Sequence, residues 1–133
     1  MLAAAVSAAL AVYLIPRWSA PNARCLSLLM GSVAVWSLCY GMEFKSTGLA
    51  DKLFWVRAEY LGAAWVGVFY FRFAMALTGR LSWLRGALNG VLFIIPTMTL
   101  VAVYTNSYHE LIWSRAWIEQ GGPIPAVAYS RGI

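Results

Sequence analysis

Apolar residues fall into four long runs separated by short polar segments. The runs cover residues 1–15, 25–42, 53–77 and 86–104. None of them shows the period-two alternation of a half-buried strand. A helix needs about 20 apolar residues to cross a bilayer, and it satisfies every backbone polar group within its own segment. The pattern therefore predicts an all-α membrane protein, a bundle of about four transmembrane helices.

The polar breaks mark where these helices end. Pro16 closes the first run, which is short for a span, and Pro96 lies inside the fourth, where a membrane helix tolerates proline. The remainder, 105–133, is polar and aromatic and then rich in glycine and proline. We interpret it as a loop or tail outside the membrane, with no fifth span.

The composition supports a membrane protein and excludes a soluble enzyme. Hydrophobic residues make up 62% of the chain and charged residues 11%, whereas soluble domains contain about 45–50% and about 25%. The sequence contains no nucleophile–base pair, glycine-rich phosphate loop or metal-binding spacing. We predict no catalytic residue, no cofactor and no metal site, and the lipid bilayer as a partner.

The basic residues predict the orientation of the helices. The net charge is +5, but the ten Lys and Arg are scattered between apolar runs, so no basic patch indicates nucleic acid. Arginines without acidic neighbours occupy the loops 16–24 and 78–85, which the positive-inside rule places in the cytoplasm. The N-terminus, the loop after the second run and the tail then face outward.

Glu43 is the carboxylate whose position most suggests ligand binding. Trp36, Tyr40 and Glu43 are spaced i, i+4 and i+7 and therefore share one helix face. An acid at the outer end of a helix, next to two aromatic rings, suits a cationic or polar ligand. The alternative is an interfacial glutamate that is hydrated or paired with Lys45 or Arg57.

Arg57 and Glu59 lie inside the third run, where ionisable groups suggest function by default. Two residues apart, they do not face each other, so each needs a partner on another helix or access to water. The alternative is that both mark the outer end of the span. Arg72, near the other end, is expected to reach the lipid headgroups.

His109 is the only histidine and follows the fourth run. It titrates near neutral pH and can therefore sense protons, but one histidine cannot form a metal site. An interfacial residue without function is the alternative. The complete set of ligand or sensing candidates is Trp36, Tyr40, Glu43, Arg57, Glu59 and His109.

Four blocks of sequence resemble the N-terminal seven-transmembrane sensor region of bacterial histidine kinases. Residues 36–43 read WSLCYGME, 54–62 read FWVRAEYLG, and 73–80 read FAMALTGR. The fourth block joins Ile95-Pro96 to TNSYH at 105–109 and to Trp113. The blocks occur in the family's order and cover about its first four helices.

The resemblance implies a signal-input module in the bacterial inner membrane, with an outward N-terminus. In that family the region feeds kinase or diguanylate cyclase domains. None lies within 1–133, so we expect a truncated sensor region that has no enzyme activity and binds an unknown small ligand. Its expected partners are a second copy, or the missing C-terminal helices and output domains. A small four-helix transporter and a structural membrane subunit remain as alternatives.

Overall fold

A computed structural model describes residues 1–84, 86–119 and 126–131. The four main helices are α1 (Leu2–Leu14), α2 (Pro21–Lys45), α3 (Leu49–Leu77) and α4 (Ala87–Tyr104). Turns of 3-10 helix at Ile15–Arg17 and Leu81–Trp83 follow α1 and α3. After α4 come a one-turn helix, α5 (Asn106–His109), and two strands, β1 (Trp113–Glu119) and β2 (Ala126–Arg131).

The membrane character predicted from the sequence is confirmed. The helices α2, α3 and α4 are each long and apolar enough to cross a bilayer, and the segment Leu2–Arg17 is a shorter apolar helix. Many large apolar side chains on these helices remain exposed, among them Leu10, Phe54, Ile95 and Met98. Such surface is costly in water but not against lipid tails. The molecule is an all-α, multi-pass membrane bundle.

Two helices begin earlier than their apolar runs. α2 begins at Pro21 and not at residue 25, because proline is well suited to the first turn, where its missing N–H has no helical partner. α3 begins at Leu49 and not at residue 53, and Asp51 lies in its first turn, where a carboxylate interacts well with the helix dipole. Hydropathy locates the membrane part of a helix, and these extensions are polar.

The helices pack in chain order, with α1 on α2, α2 on α3 and α3 on α4. Small residues fill the contacts near the chain start: Ala4 and Ser7 of α1 and Cys25 and Ser27 of α2 are buried. The Ser27 hydroxyl donates to the Ala11 carbonyl at 2.8 Å. Small residues allow membrane helices to approach closely, which increases van der Waals contact.

One end of the bundle carries the hairpin. The strands β1 and β2 pair antiparallel, with Trp117 opposite Ala128, and β2 contacts α3. We call the end with the α2–α3 turn and this pair of strands the hairpin end. Hydropathy predicted a loop or tail here and gave no indication of strands. Arg85 of the 78–85 loop and the Gly- and Pro-rich 120–125 lie outside the described residues.

Candidate functional site

The helices α2 and α3 approach each other closely at Gly62. A Cβ atom placed on Gly62 would lie 2.5 Å from the Ser32 carbonyl oxygen and 2.6 Å from the Trp36 amide nitrogen. Only a residue without a side chain fits there, so the backbones of the two helices nearly touch. This contact fixes which side chains of the two helices meet toward the hairpin end.

Two carboxyl groups meet next to this contact. The Glu59 side chain of α3 lies beside the Glu43 side chain and the Trp36 indole of α2. Glu59 Oε1 is enclosed by protein and has no hydrogen-bond partner within the described part of the chain. Two neighbouring carboxyl groups attract a cation or a hydrogen-bond donor. We call Trp36, Glu43 and Glu59 the acidic site.

Lys52 supports the acidic site through a hydrogen bond to the backbone of Glu43. Its side chain is only 1% exposed, and Nζ donates to the Glu43 carbonyl oxygen at 3.0 Å. That carbonyl belongs to the last turn of α2 and also accepts from the Ser46 amide at 3.1 Å. A cation at this end of a helix interacts favourably with the helix dipole. The sequence analysis did not single out Lys52. Its position shortly after the end of α2 was the sequence signal that could have predicted this bond.

Tyr40 lies on α2 between Trp36 and Glu43 but is turned toward the surface. Its side chain is 49% exposed, and its ring meets the edge of Phe44 with centroids 4.8 Å apart. The Trp36 side chain is also 43% exposed, although it touches Glu59. The shared helix face therefore forms one wall of the acidic site and continues onto the surface.

Arg57 lies on a different side of α3 from Glu59. It lines a groove between α3 and α4, together with Leu53, Phe54 and Tyr104. Its Nε is enclosed and finds no hydrogen-bond partner in the residues that the structure describes. The two-residue spacing predicted this separation from Glu59. Neither Glu43 nor Glu59 lines the groove.

His109 belongs to the turn after α4 and bonds within that turn. Its Nδ1 accepts from the Leu111 amide at 3.1 Å, and its Nε2 lies 3.0 Å from the Thr105 hydroxyl. The structure therefore gives His109 a local role in shaping the turn.

Asn106 is a residue that the sequence analysis did not single out. It is 3% exposed, its Nδ2 donates to the Trp113 carbonyl at 2.8 Å, and its Oδ1 accepts from the Ile112 amide at 2.8 Å. These bonds join the end of α4 to β1. Asparagine imitates backbone groups in turns, which was the available sequence signal.

Arg72, which was expected to reach the lipid headgroups, has partners within the protein. Its Nη1 donates to Asn89 Oδ1 on α4, and its guanidinium lies 5.8 Å from the Phe93 ring centroid. This pair ties α3 to α4 away from the hairpin end. Among the described residues, no three His, Cys, Asp or Glu side chains are grouped so that they could hold a metal ion.

Comparison with known proteins gives one finding. A family model described as the N-terminal 7TM region of histidine kinase matches residues 1–133. No curated protein and no solved structure matches the chain.

Proposed function

Because the chain belongs to the family of N-terminal 7TM regions of histidine kinase, we propose that it is the signal-input module of a two-component or similar bacterial signalling protein. The family match over residues 1–133 carries this proposal, since the family is defined by a sensor region and not by a catalytic domain. The chain contributes membrane helices and a receptor site, and an output domain supplies the catalysis.

In the proposed orientation the hairpin end faces outward from the bacterial inner membrane. Arg17, Arg24 and Arg80 all belong to the other end of the bundle, at the α1–α2 and α3–α4 connections. Positively charged loops remain in the cytoplasm. The acidic site and the hairpin are then on the side that meets external signals.

The acidic site is the proposed receptor for the signal. Glu59 lies ten residues after the start of α3, about 15 Å along the helix, and Glu43 is in the last turn of α2. A carboxyl oxygen without a partner supports a ligand that donates hydrogen bonds or carries positive charge. The exposed faces of Trp36 and Tyr40 provide aromatic surface for such a cation.

A signal requires that the ligand bind two arrangements of the bundle unequally. The close backbone contact at Gly62 transmits any change in the acidic site to the relative position of α2 and α3. Both helices extend to the other end of the bundle, where an output domain would respond. Arg57 and His109 contribute through neighbouring elements, α3 and α5.

The proposal is tested by neutralising Glu59 and measuring the far end of the bundle. In lipid nanodiscs, we expect Glu59→Gln to change hydrogen–deuterium exchange at 15–20 and 78–84, away from the substitution. Glu110→Gln is the control, because Glu110 is exposed beyond α5. A change confined to the surroundings of Glu59 would contradict an input module.

The acidic site also favours one alternative, a small cation transporter. Buried carboxyl groups mark ion pathways in many transporters. Uptake of sodium or protons into vesicles that contain the chain, abolished by Glu59→Gln, would support transport. Vesicles that show no uptake above empty controls would leave the input module as the explanation of the acidic site.

A further inference from the structure

Side-chain contacts join α3 and α4 in the half of the bundle away from the hairpin end. In the half toward the hairpin end, a groove lies between the two helices. The rings of Trp65, Phe69 and Phe93 pack together, with the Trp65 and Phe93 centroids 5.6 Å apart. The Arg72–Asn89 bond lies beyond them. Toward the hairpin end no such contact is described, and a groove of about 360 Å³ opens between the two helices.

One face of α3 forms a wall of this groove. Ala50, Leu53, Phe54 and Arg57 line it, at the spacing i, i+3, i+4 and i+7 of a single helix face. Tyr104, the last residue of α4, lines the other side. Arg57 lies eight residues after the start of α3, about 12 Å along the helix. The groove is therefore at the level where α4 ends.

This level corresponds to a membrane–water interface. α4 crosses the bilayer by its length and composition, so its last residue marks the boundary. Phe54 and Tyr104 are 63% and 47% exposed, as expected of aromatic side chains that meet lipid near the headgroups. In a bilayer, the lower part of the groove would face acyl chains and its upper part would face phosphates.

Among the described residues that line the groove, Arg57 carries the only charge. Its Nε is enclosed and has no hydrogen-bond partner among the described residues. An unsatisfied donor of this kind is costly, and a guanidinium edge matches two oxygens of a phosphate or carboxylate. Glu59 cannot supply them, because it lies against α2.

We propose that this groove binds one anionic phospholipid of the leaflet at the hairpin end. The phosphate accepts hydrogen bonds from the Arg57 guanidinium, and the first methylenes of an acyl chain lie on Leu53 and Phe54. Apolar walls with one cation among the described residues are complementary to an anionic amphiphile. Binding does not depend on the proposed sensor role, since it involves no signal output.

The test uses the full chain in a mild nonionic detergent, titrated with phosphatidylglycerol or phosphatidylcholine. Native mass spectrometry counts the lipids retained on each molecule. We expect one phosphatidylglycerol to bind in preference to phosphatidylcholine, and Arg57→Gln to weaken that binding at least about tenfold, as for the loss of a charge-assisted hydrogen bond. Arg24→Gln removes an exposed arginine of α2 and should leave binding within about twofold.

Two further variants keep the proposal testable if Arg57→Gln does not fold. Leu53→Trp fills the groove and keeps the charge, so it should also displace the lipid, whereas Arg57→Lys should retain part of the affinity. Equal losses for Arg57→Gln and Arg24→Gln would overturn the proposal, since they would show unspecific charge attraction. Tighter binding of dodecanoate than of phosphatidylglycerol at Arg57 would overturn it in favour of a fatty acid.

Discussion

Gly62 determines how closely α2 and α3 pack, and with it the position of the acidic site. The atoms nearest to its missing side chain are the Ser32 oxygen and the Trp36 nitrogen, both in the backbone of α2. Backbone atoms cannot rotate away as a flexible side chain can. Any larger residue must separate the helices, and Glu59, one turn away on α3, would move with its helix.

We predict that Gly62→Ala lowers the apparent free energy of unfolding by about 1–3 kcal/mol, the usual cost of overpacking. Denaturation with sodium dodecyl sulfate from mixed micelles measures this quantity. Gly67→Ala is the matched control, because a Cβ there meets nothing within 4 Å. Its effect should be neutral or stabilising by up to about 1 kcal/mol, from the better helix propensity of alanine.

Equal stability of the Gly62→Ala variant and the wild type would show that the helices have room to spare at this contact. The acidic site would then need another explanation for its position.

Asn106 is a second single residue on which a local part of the structure depends. Its amide bonds to Ile112 and Trp113 hold the start of β1 against the end of α4. The position is nearly inaccessible to water, so loss of these hydrogen bonds should cost about 1–3 kcal/mol.

We predict that Asn106→Ala speeds amide exchange in β1 by about tenfold to a hundredfold, the factor that corresponds to this loss. The melting temperature of the helices should not change, because the bond lies outside the bundle. Ser107→Ala, at an exposed neighbour in the same turn, should leave the exchange of β1 unchanged. Unaltered exchange in Asn106→Ala would show that the hairpin is held by other contacts.

At the scale of elements, the sequence predicted the helices but not how they pair. Four apolar runs predicted four helices, because lipid leaves few alternatives for a backbone. Glu43 and Glu59 are neighbours only because one particular face of α3 packs against α2. Hydropathy does not indicate which face of a helix packs against its neighbour. One signal was available: Glu59 and Gly62 are three residues apart and share a face, and a glycine on a helix face favours a close neighbour.

The hairpin could not be predicted from a membrane pattern. Its strands are short and lie beside aromatic residues that also suit an interface. Its pairing includes the Ser114 and Ser130 hydroxyls, 2.7 Å apart, a cross-strand contact that becomes visible only when the register is known. The sensing candidates likewise separate in the structure into the acidic site, the Arg57 groove and the His109 turn.

The Arg72–Asn89 bond is a polar link between α3 and α4. We predict a coupling energy of about 0.5–2 kcal/mol between Arg72→Leu and Asn89→Leu in a double-mutant cycle, measured by the same detergent denaturation. Arg72→Leu with Thr97→Leu is the control, since the Thr97 hydroxyl donates to Phe93 within its own helix. A coupling near zero for the first pair would mean that the aromatic contacts alone hold the two helices.

At the scale of the whole molecule, polar groups concentrate toward the hairpin end. The acidic site, Lys52, Arg57 and the His109 turn all belong to it. The other end carries arginines in short connections. This asymmetry is what an input module needs, with a receptor on one side of the membrane and a coupling surface on the other.

The exposed apolar surface of the helices must be covered by lipid or by protein. Many large side chains of α4 are more than half exposed, among them Leu88, Ile95 and Met98. Lipid can cover them, and so can further helices or a second copy of the chain.

The most direct test of this account is the side of the membrane on which each end lies. Cysteines placed at the exposed positions Thr47 and Ser107 probe the hairpin end, and cysteines at Ser19 and Ser82 probe the other. The native Cys25 and Cys39 are buried, so the unmodified chain gives the background. In intact bacterial cells treated with a membrane-impermeant maleimide, Thr47→Cys and Ser107→Cys should react, and Ser19→Cys and Ser82→Cys should react only after lysis. The reverse pattern, or equal reaction at all four positions, would contradict an outward-facing receptor.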